Sequence, residues 1–187
     1  MNTLRLFGIL SVVALLLSGC GEDDLKNAAS ISSKKVTLTK DRTLDMVVWY
    51  SDSAVVKAKA YAPIYDKVSP SQGSKYNEMP NGVKIEFFDA YMQVTGTITS
   101  NYAINNETEK ITVFRKNVVV INSTMTFTTE ELTWDENKKL YYSPSGTVTT
   151  KDGNVLTGAQ FSAPQDFSTY EIIGGVGQGY VKGDIVP

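Results

Sequence analysis

The sequence predicts an all-β domain in which an antiparallel sheet curls into a sandwich or jelly roll. Three observations carry that prediction. From Val36 onward apolar and polar residues alternate with a period of two, the spacing of a strand with one dry and one wet face. Short turn formers of hairpin type separate the alternating runs. The alternation also changes phase inside two of the runs, as a bulged or bent strand requires when a sheet curls.

Residues 1–19 form the first element. A short start with a single positive charge at Arg5 precedes the apolar run 6–17, and Leu17-Ser18-Gly19-Cys20 closes it. This is the layout of a secretory signal peptide, and the run is too short to cross a hydrocarbon core as a helix. The last four residues resemble the bacterial lipobox, in which the Cys thiol is diacylated before cleavage. Cys20 is the only cysteine of the 187 residues, so an internal disulfide is excluded. Acyl chains on Cys20, at about 0.8 kcal/mol per buried methylene, would hold the mature chain on a membrane. Residues 20–38 then read as the lipidated Cys and a polar tether, with Glu22-Asp23-Asp24 and several serines but no apolar periodicity.

The domain proper is expected over 39–187. Strands are predicted at 39–50, 54–61, 82–90, 92–101, 109–115, 117–122, 124–135, 139–143, 146–151, 154–163 and 170–173. Turns are predicted at 51–53, 105–108, 135–138, 144–145 and 152–153. Residues 68–81, rich in Ser, Pro, Gly and Asn, read as one long loop. Short successive turns favour a meander, in which each strand pairs with the next.

Several dry faces are legible. Val83, Ile85 and Phe87 oppose Lys84 and Glu86; Met92, Val94, Gly96 and Ile98 oppose Thr95, Thr97 and Thr99; Val56, Ala58 and Ala60 oppose Lys57 and Lys59. Phe127 and Trp134 are out of phase, which predicts a bend at Thr129-Glu130, and the same change separates Leu156 from Phe161. In most β proteins such rows are simply core. Alanines at 58 and 60 leave space instead of filling it, and the chain has many strands but few very large residues to close an interior. A candidate apolar groove therefore comprises Val56, Ala58, Ala60, Ile85, Phe87, Val94, Ile98, Leu132, Trp134, Leu140 and Phe161.

Catalytic chemistry finds little support. Histidine is absent, which removes the usual base for a serine or cysteine nucleophile and the usual zinc ligand. Glu130 and Glu131 are adjacent on a strand and so point to opposite faces, poorly placed to share a substrate. The glycine-rich 174–179 has no following helix to complete a phosphate cradle, and reads as a flexible or edge segment. A net charge of −2 without a basic cluster excludes a nucleic-acid partner. No enzyme, metal or cofactor is expected.

Tyr50-Ser51-Asp52-Ser53, Val55-Val56-Lys57-Ala58, Ala62-Pro63 and Pro80-Asn81-Gly82-Val83-Lys84-Ile85-Glu86-Phe87-Phe88-Asp89 resemble the opening of the LptC family of lipopolysaccharide-transport proteins. Asn117-Val118-Val119-Val120, Thr129-Glu130-Glu131-Leu132-Thr133-Trp134-Asp135 and Leu140-Tyr141 are similar to its middle. Val155 to Gly158, with Phe161, Ala163 and Gln165-Asp166-Phe167-Ser168-Thr169-Tyr170, are similar to its close. The chain departs from the family at Gln160, where many members carry a second Gly, and in having a lipobox where many have a transmembrane helix.

The resemblance implies a twisted β-jelly roll with an open hydrophobic groove, anchored to the inner membrane and projecting into the periplasm; the outer membrane is the other destination of a lipoprotein. It implies lipopolysaccharide as cargo, received from an inner-membrane ABC transporter and passed to a periplasmic bridge protein of similar fold. By the same resemblance Val48 and Tyr50 lie on the strand edge that meets the transporter, and Tyr170 and Ile172 on the edge that meets the bridge. The competing reading is a β-sandwich envelope lipoprotein that binds glycan or protein through its loops. Aromatics clustered in loops would mark it, whereas Trp49 and Trp134 fall within predicted strands.

Overall fold

The computed structural model describes residues 36–179; the signal segment, Cys20 and most of the tether lie outside them. Twelve strands form one antiparallel sheet: β1 Leu38–Asp52, β2 Val55–Pro70, β3 Tyr76–Met79, β4 Val83–Phe88, β5 Val94–Ser100, β6 Tyr102–Asn106, β7 Ile111–Asn122, β8 Met125–Asp135, β9 Leu140–Thr150, β10 Val155–Pro164, β11 Glu171–Ile172 and β12 Val176–Gln178. No helix occurs among the described residues.

The register reduces this to a simple path. β3 and β4 lie end to end along β2, with Tyr76 opposite Val68 and Phe87 opposite Ala58. β5 and β6 lie end to end along β7 in the same way. Each pair is one long strand interrupted once, and the sheet is a meander of eight long strands with β11 and β12 end to end along β10.

The interruptions fall in a row. Asp45 takes φ +50 between the pairs Leu44 with Ile64 and Met46 with Ala62, which puts it opposite Pro63. Next come Pro80-Asn81-Gly82 between β3 and β4, and Asn101 between β5 and β6. Asn101 donates its amide to the Lys116 carbonyl at 2.9 Å, and Lys116 and Asn117 take φ +65 and +55 where the β7 register breaks. Pairing between β8 and β9 lapses over 129–132, between the pairs Thr128 with Thr147 and Thr133 with Tyr142, and Pro144 of β9 stands opposite Gln160 of β10, at φ +77. A continuous crease thus crosses every long strand. Proline withholds ladder donors, and left-handed residues turn the strand, so this row is where the sheet can fold without breaking more hydrogen bonds. At Gly82, with φ +89, a Cβ would sit 2.4 Å from the Ser100 carbonyl oxygen, so only glycine fits.

The crease divides the sheet into two half-sheets. Half-sheet one holds the start of β1, the end of β2, β3, β6, the start of β7, the end of β8, the start of β9, the end of β10 and β11. Half-sheet two holds the complementary halves with β4, β5 and β12. They face each other, since the core joins Val83, Ile98, Val120, Phe127 and Val148 of half-sheet two to Met79, Phe114, Leu132, Tyr141 and Phe161 of half-sheet one. The result is the β-sandwich of jelly-roll type that the alternation predicts.

Four predictions about elements need correction. Residues 68–81 are not a single loop, because β2 runs on to Pro70 and β3 lies inside the segment. The stretch Tyr102–Asn106 is a strand that the sequence reading passed over. Residues 144–145 are not a hairpin turn but the crease position of the continuous β9, and 109–115 and 117–122 belong to the one strand β7. Turn chemistry and crease chemistry use the same residues, Pro, Gly, Asn and Ser, so local sequence cannot separate a reversal from a fold line.

Candidate functional site

The space between the half-sheets is filled at one end and hollow at the other. At the β8 to β10 end Phe127 and Phe161 stack across it, and Leu132, Val118 and Val148 are fully buried beside them. Toward β1 the inward residues of half-sheet two shrink to Ala58, Ala60 and Ala62, and Ala103 of β6 is a small residue of the same buried core. A cavity of about 190 Å³ remains there. Its walls are Val48, Tyr50, Ala58, Ala60, Ile85 and Phe87 on one side and Thr112, Phe114, Trp134 and Tyr141 on the other, with Glu136 and Gln165 at the rim. Among the described residues β1 pairs only with β2, so its other edge is unpaired there along this opening.

A larger cavity of about 600 Å³ adjoins it at the mouth, away from the crease. Tyr50, Phe87 and Gln165 border both, which makes the two cavities one interrupted cleft. The mouth is further lined by Phe88, Thr95, Gly96, Thr97, the turn Asn122-Ser123-Thr124, Lys57, Lys139 and the segment 164–168. Apolar carbon dominates the inner part, and the mouth, though still more apolar than polar, carries a larger share of hydroxyls, amides and charged groups, among them Lys57, Lys139, Asp52 and Asp166. Such a cleft accepts an apolar chain inside and leaves a polar group in water.

Of the eleven groove candidates, Ala58, Ala60, Ile85, Phe87 and Trp134 line the inner cavity. Ile98, Leu132 and Phe161 are core residues that seal its far end. Val56 is half-buried beyond the bulge at Tyr50/Ser51 and does not reach the lining. Val94 is exposed, because the register shifts between Phe87 and Phe88 and leaves Thr95 without a partner, which breaks the phase counted from Ile98. Leu140 is half-buried on the face opposite Tyr141, and it is Tyr141, set against Trp134 across the strands, that lines the cleft. Lys57, Thr95 and Thr97, expected on the wet face, border the mouth. Among the edge candidates, Val48 and Tyr50 lie on the free edge strand and also line the cleft, Ile172 is half-buried in β11, and Tyr170 precedes β11 and stacks on Phe161 with centroids 6.1 Å apart.

Sequence reasoning missed Phe114, Tyr141, Thr112 and Gln165. The alternation Thr112, Phe114 within the predicted strand 109–115 held the signal for two of them. Nothing local marks Gln165. A polar row beside the cleft was missed as well: Asn77 donates to the Asn105 Oδ1 (3.2 Å) and the Glu107 carboxylate (2.6 Å), and Asn105 donates to Thr112 Oγ1 (2.9 Å). Burial pushes the Tyr141 phenol well above its ordinary pKa, so it is neutral at any physiological pH.

On the outer face of half-sheet one, a charge cluster fixes β1. Arg42 clasps Asp66 through two bonds of 2.7 and 2.8 Å, Lys40 reaches Asp66 (3.3 Å) and Glu78 (2.8 Å), and Tyr102 donates to Glu78 (3.0 Å). The Arg42 guanidinium, with Lys40 second among the attractive partners, holds the Asp66 carboxyl at a pKa of about 2. The cluster spans β1, β2, β3 and β6 and keeps the edge strand that walls the cleft in register.

The fold and the cleft together define a creased antiparallel β-jelly roll with an apolar slot between its half-sheets. No protein-family model matches this chain, and no curated protein sequence matches it.

Proposed function

We propose that the protein is a periplasmic, lipid-anchored component of lipopolysaccharide export, which receives lipopolysaccharide from an inner-membrane ABC transporter and passes it to a periplasmic bridge of similar fold. The observation that supports this reading is the graded cleft: an alanine-floored apolar interior beside a strand edge left unpaired among the described residues, continuing into a mouth with a larger polar share. An acyl chain exposed to water costs about 25 cal/mol per Å² of apolar surface, and a slot of this kind offsets that cost during transfer. The protein does no chemistry on its cargo, and the energy for directed movement comes from the transporter.

The inner cavity lies below the roughly 300–1,000 Å³ range of ordinary ligand sites. The reading therefore assigns it part of one acyl chain at a time, with the sugar and phosphate portion outside. Depletion of the protein in growing cells tests the proposal: newly made lipopolysaccharide accumulates at the inner membrane if it holds, and reaches the surface at the normal rate if it does not.

A further inference from the structure

We propose that the segment 164–168, which follows β10, is a gate across the cleft, and that Phe167 stands where an acyl chain passes between the mouth and the inner cavity. The proposal rests on the reading of the cleft as a lipid slot and adds how access to it is controlled.

The segment leaves half-sheet one at Pro164 and closes a tight turn, with the Phe167 amide donating to the Pro164 carbonyl at 3.0 Å and the Ser168 amide to Asp166 Oδ1 at 3.0 Å. It then meets half-sheet two, where Asn122 Nδ2 donates to the Phe167 carbonyl at 3.4 Å, a long bond. Phe167 is buried and its ring lies on Tyr141, centroids 4.6 Å apart; Tyr141 in turn lies 4.5 Å from Trp134. Tyr141 and Trp134 are walls of the inner cavity, whereas Phe167 faces the mouth, and Gln165 borders both. The segment is thus the partition between the two.

Two features distinguish a partition that opens from ordinary core. Phe167 takes φ +50, a left-handed conformation unfavourable for a bulky side chain, so the closed position stores strain that opening releases. Ladder pairing also stops at Pro164 and resumes at Glu171, which leaves the closed state held by the burial of the Phe167 ring against the core and one long side-chain bond instead of by sheet pairing. The surface that Phe167 covers on Tyr141 is apolar, so a fatty chain replaces the ring without leaving a polar group unsatisfied. With the partition displaced, the cavities of about 190 and 600 Å³ join into one slot.

The test uses the purified full chain carrying Trp49→Phe, so that Trp134 alone reports, and the fluorescent fatty acid cis-parinaric acid as probe in stopped-flow mixing. Phe167→Ala removes the plug. Asn122→Asp removes the donor to Phe167 and keeps the oxygen that caps the Thr124 and Met125 amides, so it spares the β7–β8 turn if the alanine variant folds poorly. The expected result is several-fold faster probe association in both variants, with Trp134 emission altered on binding. Binding by the parent chain at a rate that neither variant changes overturns the gate and leaves the slot standing. Binding by none of the three proteins overturns the slot, and the gate falls with it.

Discussion

Phe127 and Phe161 lie face to face across the crease, ring centroids 3.8 Å apart and planes 15° apart, although they are two strands apart in the sheet. That contact is possible only because β8 and β10 are both bent, and it closes one end of the space that stays open beside β1. Phe161→Ala removes the stack from a site where both rings are buried. The expected cost is about 3–5 kcal/mol, read as a lower denaturant midpoint with an unchanged slope.

Gly146 touches the same ring. A Cβ there would meet Phe127 at 2.3 Å, inside any tolerable contact. Gly146→Ala overpacks the closed end and should destabilise by about 1–3 kcal/mol in thermal unfolding, although the substitution is conservative and lies within a strand.

The crease predicts an unusual tolerance at Gln160. Its φ of +77 suits glycine and penalises a β-branched residue. Gln160→Gly removes the Cβ penalty that Gln already bears, partly offset by the entropy of glycine in the unfolded chain, and should be neutral or stabilising by up to about 1 kcal/mol, while Gln160→Val adds β-branching at a left-handed position and should destabilise by about 1 kcal/mol. Equal effects of the two substitutions on the midpoint of unfolding would mean that backbone conformation is not what the position selects.

The clasp of Arg42 on Asp66 makes part of the stability pH-dependent. The Asp66 pKa falls from 3.8 to about 2 on folding, so its contribution is fully present above the unfolded value and is lost as pH drops toward 2. Arg42→Ala removes the cause of the shift. The urea midpoints of parent and variant should therefore differ at pH 6 and converge between pH 4 and 2, whereas a constant difference would assign the effect to packing.

The alternation of residues 83 to 87 and of 56 to 60 made the all-β class and the dry faces legible before any coordinates, because a strand's two faces are a local property. The bend near Thr129-Glu130 was legible for the same reason, as Phe127 and Trp134 could not share a face without it. What escaped was relational. That Pro63, Gly82, Asn101, Lys116, Pro144 and Gln160 form one line depends on the register of eight strands, and each alone reads as a turn or a bulge. The cleft suffered likewise: Ala58, Ala60 and Ile85 were found by their small or apolar side chains, while Ile98 and Leu132 look the same in sequence and differ only in standing beside large neighbours. Val94 was lost to a register shift one residue long.

The account stands on the inter-sheet slot taking up the fatty part of the cargo. A photoreactive residue placed at Ala60, inside the slot, and separately at Lys84, on the outward face of β4, measures this in cells that are exporting lipopolysaccharide. Capture of lipopolysaccharide from position 60 and not from position 84 is the predicted result. Capture from position 84 alone, or from neither, contradicts it.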